Sequence, residues 1–189
     1  MPTAPHVPGS RDRMLETTID LLRGWGLAGA GINDIVRESG APKGSVYHHF
    51  PGGKLQLASE ALVLYAGRVR VFIGEALASR SAPADKIQAL FEAFARRVEA
   101  ADYRRSCAVG AVSLDLGEDI ESLRGVLADA LQAWMQEIAA QVDLGSAERT
   151  RAFAGLVMTA IEGAYVRCRV ERSSGPFREA GRWLATLVA

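Results

Sequence analysis

The chain has 189 residues, of which 49% are hydrophobic and 23% are charged, and its 22 basic residues balance its 22 acidic residues. This composition supports a substantial core and allows one domain or two small ones. A strongly basic protein that coats nucleic acid without specificity is excluded by the zero net charge, so any binding to DNA must come from a local patch.

The termini and the cysteines limit the cellular setting. The first residues lack the continuous apolar core of a secretion signal, and no stretch reaches about twenty uncharged apolar residues. We therefore expect a cytoplasmic protein with no membrane partner and a disordered tail at residues 1–9. Cys107 and Cys168 lie too far apart for a disulfide framework or a metal-ligand spacing. We expect two reduced, packed thiols, no metal and no cofactor, and a redox role for either cysteine stays open.

The first predicted helix runs from Ser10, a candidate N-cap, to about Trp25, and its apolar positions face the next two helices. Residues 32–50 predict two short helices joined by a tight turn. Gly40 can take the left-handed geometry that ends the first of them, and Pro42 is shaped for the first turn of the second.

The second short helix has a polar and aromatic edge. With Val46 and Phe50 facing inward, the helical period turns a different set of side chains outward. That outward set is Gly44, Ser45, Tyr47 and His48, with Lys43 and His49 on the flanks. Small, hydrogen-bonding and stacking groups of this kind fit the major groove of DNA. The alternative is an ordinary helical hairpin whose polar face is only solvated.

Residues 40–50, Gly-Ala-Pro-Lys-Gly-Ser-Val-Tyr-His-His-Phe, and the following Gly-Gly-Lys resemble the DNA-binding domain of the TetR family of transcriptional repressors. Pro42 in place of a capping serine and the longer Pro-Gly-Gly linker resemble the LmrA/YxaF-type subgroup. Gly31 replaces the Thr or Ser that usually caps the N-terminus of the second helix in this family, and glycine is only a slightly weaker cap. The DNA-binding residues that we assign are Gly31, Ile32, Lys43, Gly44, Ser45, Tyr47, His48, His49 and Lys54.

The rest of the chain predicts an all-α protein without a β pattern or an internal repeat. The predicted helices cover residues 54–79, 85–101, 107–116, 120–142, 146–172 and 176–188, separated by Ser, Gly and Pro breaks. We divide the chain into the tail, a helix-turn-helix domain at residues 10–54, and a helical effector-binding and dimerisation domain at residues 55–189.

Residues 107–116, 133–135 and 161–169, Cys-Ala-Val-Gly-Ala-Val-Ser-Leu-Asp-Leu, Ala-Trp-Met and Ile-Glu-Gly-Ala-Tyr-Val-Arg-Cys-Arg, resemble the ligand-binding domain of LmrA/YxaF-type members. This resemblance implies a central pocket and a four-helix dimer interface made by the last two helices of each subunit. Apolar residues at helical spacing allow that interface, although a monomer core would explain each of them as well. The dimer residues that we assign are Phe153, Val157, Ile161, Tyr165, Phe177, Trp183 and Leu184. A dimer is also expected because one recognition helix contacts too few bases for useful affinity.

An effector pocket is expected between the long linker helix and the helices after it, with a volume of at least about 300 Å³. Aromatic and flexible apolar walls suit a mostly apolar or aromatic small molecule, and a few polar groups would orient it. The pocket residues that we assign are Tyr65, Phe72, Phe91, Phe94, Ser113, Trp134, Met158 and Glu162. The same side chains could instead simply fill the core.

These patterns, together with what the resemblance implies, predict a homodimeric repressor that binds a pseudo-palindromic operator in double-stranded DNA and is released by a small effector. A helical scaffold or a small-molecule-binding protein without DNA binding is the alternative. An enzyme is a weaker alternative, because the sequence has no HExxH, nucleotide-binding glycine loop, CxxC or ordered Ser-His-Asp set.

Overall fold

The computed structural model describes residues 9–42 and 44–189, and this part of the chain is built of α-helices with one short 3₁₀ helix and no strand. The all-α prediction is confirmed. The helices are α1 (Ser10–Trp25), α2 (Ile32–Ser39), α3 (Ser45–His49), α4 (Gly53–Ala78), α5 (Pro83–Ala100), α6 (Ala108–Ser113), the 3₁₀ helix (Glu118–Leu123), α7 (Arg124–Gln141), α8 (Ala147–Glu171) and α9 (Gly175–Thr186). The expected tail at residues 1–9 falls outside the described residues, apart from Gly9.

Helices α1 to α3 form the N-terminal head. Gly40 ends α2 with a φ of 61°, in the left-handed region, as the sequence predicts. The turn before α3 is longer than expected, because α3 begins at Ser45 and Pro42 lies in the turn. The backbone N–H and the hydroxyl of Ser45 both donate to the Pro42 carbonyl, at 2.9 and 2.6 Å, which fixes where the helix starts.

Ser10 does not cap α1. It is the first residue of the helix, and Gly9 is the N-cap without any side-chain hydrogen bond. The Ser10 hydroxyl oxygen instead lies 2.8 Å from Nε2 of His49, so it joins the start of α1 to the end of α3.

Helix α4 connects the head to the helical domain. It starts at Gly53, so the expected domain boundary between residues 54 and 55 falls inside a continuous helix of 26 residues. Two ion pairs, Arg11 with Glu60 and Glu16 with Arg68, join α1 to α4. Because α1 also packs directly on α4, the head is held against this helix as far as Arg68.

The helical domain is formed around α4 by α5 to α9, with α5 packed on α9, α7 on α4 and α8, and α6 on α1. One expected helix is interrupted. Residues 120–142 were predicted as a single helix, but a 3₁₀ helix ends at Leu123 before α7 begins, and Ile120 has non-helical backbone angles. Among the helices of the described residues, none is long and apolar enough to span a membrane.

Candidate nucleic-acid interface and ligand cavities

Helix α3 presents the polar and aromatic edge that its sequence predicts. Val46 and Phe50 are fully buried and hold the helix against the head. Tyr47 is 62% exposed, and His48 and Gly44 are exposed beside it. A hydroxyl, an imidazole and a glycine backbone therefore share one accessible side of the helix, and these groups can donate to, accept from or stack on base edges and sugars.

The flanks of that edge are partly engaged within the protein. Ser45 is half-buried, and its hydroxyl donates to Pro42, but the oxygen can still accept a hydrogen bond. His49 is half-buried and contacts Ser10 through Nε2, while its ring lies 5.1 Å from the ring of His48. Lys43, which was also predicted to contact DNA, lies outside the described residues.

The remaining residues assigned to DNA binding lie at the N-termini of two other helices, α2 and α4. Gly31 and Ile32 are half-buried at the start of α2, and Lys54 is the second residue of α4. Free N–H groups at a helix N-terminus attract phosphate, and a lysine there adds a full charge. Gly53, at the end of the linker, has a φ of 66°, in the left-handed region that favours glycine.

Asp115, which follows α6, clamps the loop between α1 and α2. Its Oδ2 accepts from the backbone N–H groups of Leu27 and Ala28, at 2.6 and 3.1 Å. Gly26 in the same loop has a φ of 67°, and a Cβ there would lie 2.6 Å from that oxygen. The loop therefore requires glycine at this point, and α6 is tied to the head.

The expected effector pocket is almost closed. A cavity of about 10 Å³ lies between α4, α5, α7 and α8, which is room for about one water molecule. This inner cavity is far smaller than the expected volume of at least about 300 Å³. Five of the eight predicted pocket residues line this inner cavity, namely Tyr65, Phe94, Trp134, Met158 and Glu162. The rest of its wall is formed by Val69, Ile73, Cys107, Ile161 and Tyr165.

The inner cavity has polar groups in its wall. Burial raises the pKa of Glu162, and a hydrogen bond with Cys107 opposes that shift. Burial, and then the nearby Glu162 carboxyl, raise the pKa of the Cys107 thiol. Burial likewise raises the pKa of Tyr65. A Cβ on Gly110 would lie 2.2 Å from Oε2 of Glu162, so the absence of a side chain at Gly110 lets the carboxyl lie against α6.

The other three predicted pocket residues lie elsewhere. Phe72 and Phe91 line an open outer cleft of about 720 Å³ between α4, α5 and α9, whose other walls include charged side chains such as Arg80 and Asp85. Ser113 is exposed on α6, and its hydroxyl donates to the Gly110 carbonyl of its own helix. Ser113 is therefore removed from the pocket set.

Two family models match the chain. Residues 14–61 match the bacterial regulatory proteins of the tetR family, and residues 83–183 match the C-terminal domain of LmrA/YxaF-like transcriptional regulators. The second match covers more than half of the chain. The chain belongs to the TetR family.

Curated relatives agree with this TetR-family membership, and a solved structure has the same fold. An uncharacterized HTH-type transcriptional regulator of Mycobacterium tuberculosis is 33% identical over 188 residues, 95% of this chain and 94% of its own length. HTH-type transcriptional regulator LmrA of Bacillus subtilis is 31% identical, covering 88% of this chain and 90% of its own. The regulatory protein TetR from Rhodobacter sphaeroides superposes with a TM-score of 0.86 at 19% identity, over 95% of this chain and 99% of that one.

The chain is thus a TetR-family transcription regulator with a DNA-binding helix-turn-helix head. The expectation that it is not an enzyme is confirmed, because the family and the matching relatives are transcription regulators.

The exposed face of α8 in this TetR-family chain is not the face that was predicted from the sequence to form the dimer interface. Six of the seven assigned dimer residues, Phe153, Val157, Ile161, Tyr165, Phe177 and Leu184, are buried within the single subunit. Their side chains fill its own core and leave little surface for a partner, so we revise this set. Only Trp183 is exposed, at 69%.

A second stripe of residues along α8 is exposed, and it begins at Leu156, one position before the buried Val157. Leu156, Val166 and Val170 are exposed, the last two at 62% and 80%, and the small residues Thr159 and Gly163 lie between them. Spacings of three and four residues place all five on one side of the helix. We name the α8/α9 surface from this stripe together with two exposed residues at the end of α9, Trp183 and, just after its last residue, Leu187.

Some functional residues were missed by the sequence analysis. Asp115 binds a loop 87 and 88 positions away, and nothing near it in the sequence signals that partner. Cys107 and Tyr165 were assigned to other roles, because only the packing of α6 against α8 places them on one cavity.

Proposed function

We propose that this TetR-family regulator is a repressor that binds a pseudo-palindromic operator as a homodimer and releases it when a small, mostly apolar effector binds. The observation that carries the proposal is the exposed edge of Tyr47 and His48 on a helix held in place by buried Val46 and Phe50. A side chain on a fixed short helix can reach base edges with little loss of entropy.

Operator binding and repression have support among similar proteins. The transcriptional repressor DhaR of a Mycobacterium species is 24% identical over 173 residues. CifR, a TetR-family regulator of the same fold with a TM-score of 0.82, has been solved with a 26 bp double-strand operator DNA. We extend repression and operator binding from those proteins to this chain.

The direct test uses the DNA upstream of the chain's own gene in a gel-shift titration. A Tyr47→Ala, His48→Ala double variant should lose specific binding, and His48→Ala alone should cost about 1 to 3 kcal/mol on the best site and change its base preference. Trp25→Ala is the matched control, because Trp25 is an exposed aromatic of the same head at the far end of α1. Equal operator binding by the wild type and the folded double variant would refute DNA reading by α3.

The homodimer is proposed on the α8/α9 surface. Its exposed valines, leucines and tryptophan lie on two helices that pack on each other, so a second copy could add two more helices and bury both stripes. Operator geometry also favours two heads, because two half-sites double the base contacts.

Effector release is proposed through the inner cavity. Its walls combine Tyr65, Phe94 and Trp134 with the flexible Met158, which suits an aromatic or apolar group. At about 10 Å³ the cavity must expand to hold such a group, so the effector would favour a conformation other than the closed one. Release of DNA follows only if that expanded conformation binds the operator less well.

A constitutive repressor is the second candidate, and the closed inner cavity favours it. A screen of aromatic and apolar small molecules for release of the bound operator distinguishes the constitutive repressor from the ligand-responsive one. Ligand response predicts compounds whose effect disappears when the inner cavity is filled, for example in Val69→Phe at a residue that lines it, checked for retained operator binding. A broad screen without any releasing compound leaves the constitutive repressor.

A further inference from the structure

We propose that the outer cleft and the inner cavity are two parts of one ligand site, and that the ring of Phe72 is the gate between them. This inference rests on the ligand response in the proposed function and names its access route. The occupant is an aromatic molecule whose ring passes the gate while a polar tail remains in the outer cleft.

The two spaces share a single wall made by α4 and α5. On α4, Val69 and Ile73 line the inner cavity, whereas Phe72 lines the outer cleft. On α5, Phe94 lines the inner cavity and Phe91 the outer cleft. The rings of Phe72 and Phe94 meet at 5.0 Å in a T-shaped contact, so these two rings close the wall at this point.

Phe72 is the ring of that pair that can move. Phe94 is buried and also contacts Phe177, stacked at 5.7 Å, and Tyr165 at 6.0 Å. Phe72 is only half-buried, and its second partner is the guanidinium of Arg97, 4.8 Å from the ring centre. A rotation of Phe72 into the cleft disturbs one ring contact and one cation–π contact, whereas a rotation of Phe94 disturbs the packed core.

The size and charge of the outer cleft define the class of ligand. Its volume of about 720 Å³ falls in the usual range of small-molecule sites. The half-buried Phe72 offers apolar surface at the gate, and Arg80, Arg182 and Asp85 are among the charged groups of the cleft. A polar tail with both donors and acceptors fits there, and the aromatic walls of the inner cavity fit the ring.

Cys107 supplies a reporter for the gate, because it lines the inner cavity and is 2% exposed. The probe is methyl methanethiosulfonate, a small neutral reagent. The Cys107 thiolate attacks its sulfenyl sulfur, a disulfide bond to the S-methyl group forms, methanesulfinate leaves, and the thiol proton goes to solvent. Cys168 is also buried but lines neither space, so it reports general opening of the fold.

The experiment measures the labelling rate of each cysteine by mass spectrometry on the full chain at one fixed pH, without operator or effector. Phe72→Ala should raise the Cys107 rate by about tenfold, with the Cys168 rate unchanged, because the gate no longer needs to rotate. Arg97→Met keeps the Phe72 ring but removes its cationic partner, so it should raise the Cys107 labelling rate by a smaller factor. This variant replaces Phe72→Ala in the experiment if Phe72→Ala folds poorly.

Leu77→Ala is the matched control, because Leu77 is buried on the same helix and lines neither space. An equal rise in Leu77→Ala, or a parallel rise at Cys168, would show exposure by unfolding and overturn the gate. No change at Cys107 in Phe72→Ala and in Arg97→Met would also overturn it. These readouts do not depend on DNA binding or on a known effector, so the gate can fail while the proposed function stands.

Discussion

Lys54 is the residue whose predicted contact with DNA is simplest, since it is a positive charge in the first turn of α4. A lysine on phosphate contributes to every DNA sequence equally and releases about one counterion. Lys54→Ala should therefore weaken binding to operator and random DNA alike and flatten the salt dependence by about one unit. Titrations at several salt concentrations measure this, with Arg149→Ala on α8 as an exposed basic control. A loss restricted to the operator would contradict a phosphate role.

Glu162 should make the stability of the protein depend on pH. Burial raises its pKa above the ordinary value of 4.5, so the folded chain keeps this proton to a higher pH than the unfolded chain. Below 4.5 both states hold the proton, and as pH rises from there through the raised pKa the unfolded state is favoured. Cys107, which faces Glu162, has a raised pKa and stays protonated in this range.

Glu162→Gln should remove the loss of stability that the wild type shows as pH rises through the raised pKa of Glu162. The free energy of unfolding of the variant, minus that of the wild type, should increase as pH rises above 4.5 and then level off. Urea unfolding at a series of pH values measures it, and Glu148→Gln, an exposed carboxyl on α8, is the control. Parallel pH profiles for Glu162→Gln and the wild type would show that the carboxyl is not held neutral by the fold.

The sequence could predict which residues of the head face out, but not what each one contacts. Helical periodicity places Tyr47 and His48 outward and Val46 inward, and the structure agrees. Periodicity does not show that the Ser45 hydroxyl donates to Pro42 or that Ser10 contacts His49 instead of capping its own helix. Such bonds depend on how two elements approach each other, which the pattern of one element does not contain.

At the scale of elements, α6 joins the inner cavity to the head. Cys107 precedes α6 and lines the cavity, while Asp115 follows it and holds Leu27 and Ala28. Arg23 adds a second tie, because its Nε donates to the Ser106 carbonyl at 3.1 Å. A change in the cavity wall can therefore reach the α1–α2 loop through one six-residue helix.

Asp115→Ala tests this tie. It removes the acceptor of two backbone N–H groups, so the head should lose about 1 to 2 kcal/mol of stability. Hydrogen exchange should quicken at the Leu27 and Ala28 amides, and urea unfolding gives the total loss. Asp119→Ala, an exposed carboxylate in the neighbouring 3₁₀ helix, should change neither. Unchanged exchange in Asp115→Ala would mean that the loop is held by other contacts.

For helix α8, the sequence could not predict which apolar side is buried. The helix has two stripes of apolar residues, each on one side of the helix, one through Phe153, Val157 and Ile161 and one through Leu156, Val166 and Val170. Spacing alone does not say which stripe packs inside the subunit and which faces out. The structure buries the first against its own core and exposes the second, so the helices of the proposed interface are kept and the contact face is revised.

At the scale of the whole molecule, α4 contributes to three candidate sites. Its start lies beside the recognition helix, its middle lines the inner cavity, and Phe72 borders the outer cleft. A ligand that separates α4 from α5 would therefore move the helix that carries the head. In a dimer the two heads would then change their separation, and fixed half-sites on DNA would be matched by only one of the two geometries.

The dimer itself is the last prediction. Val166→Glu should place an unpaired charge in the middle of the α8/α9 surface and give monomers at micromolar concentration, because burying such a charge costs several kcal/mol. Operator binding should be lost although α3 is unaltered, since one head contacts only one half-site. Sedimentation velocity measures the first effect and gel shift the second. Val71→Glu is the control, because Val71 is similarly exposed but lies on α4, outside this surface, and should leave both unchanged. A wild type that sediments as a monomer at the same concentration, or a Val166→Glu variant that remains dimeric, would place the interface elsewhere or remove it.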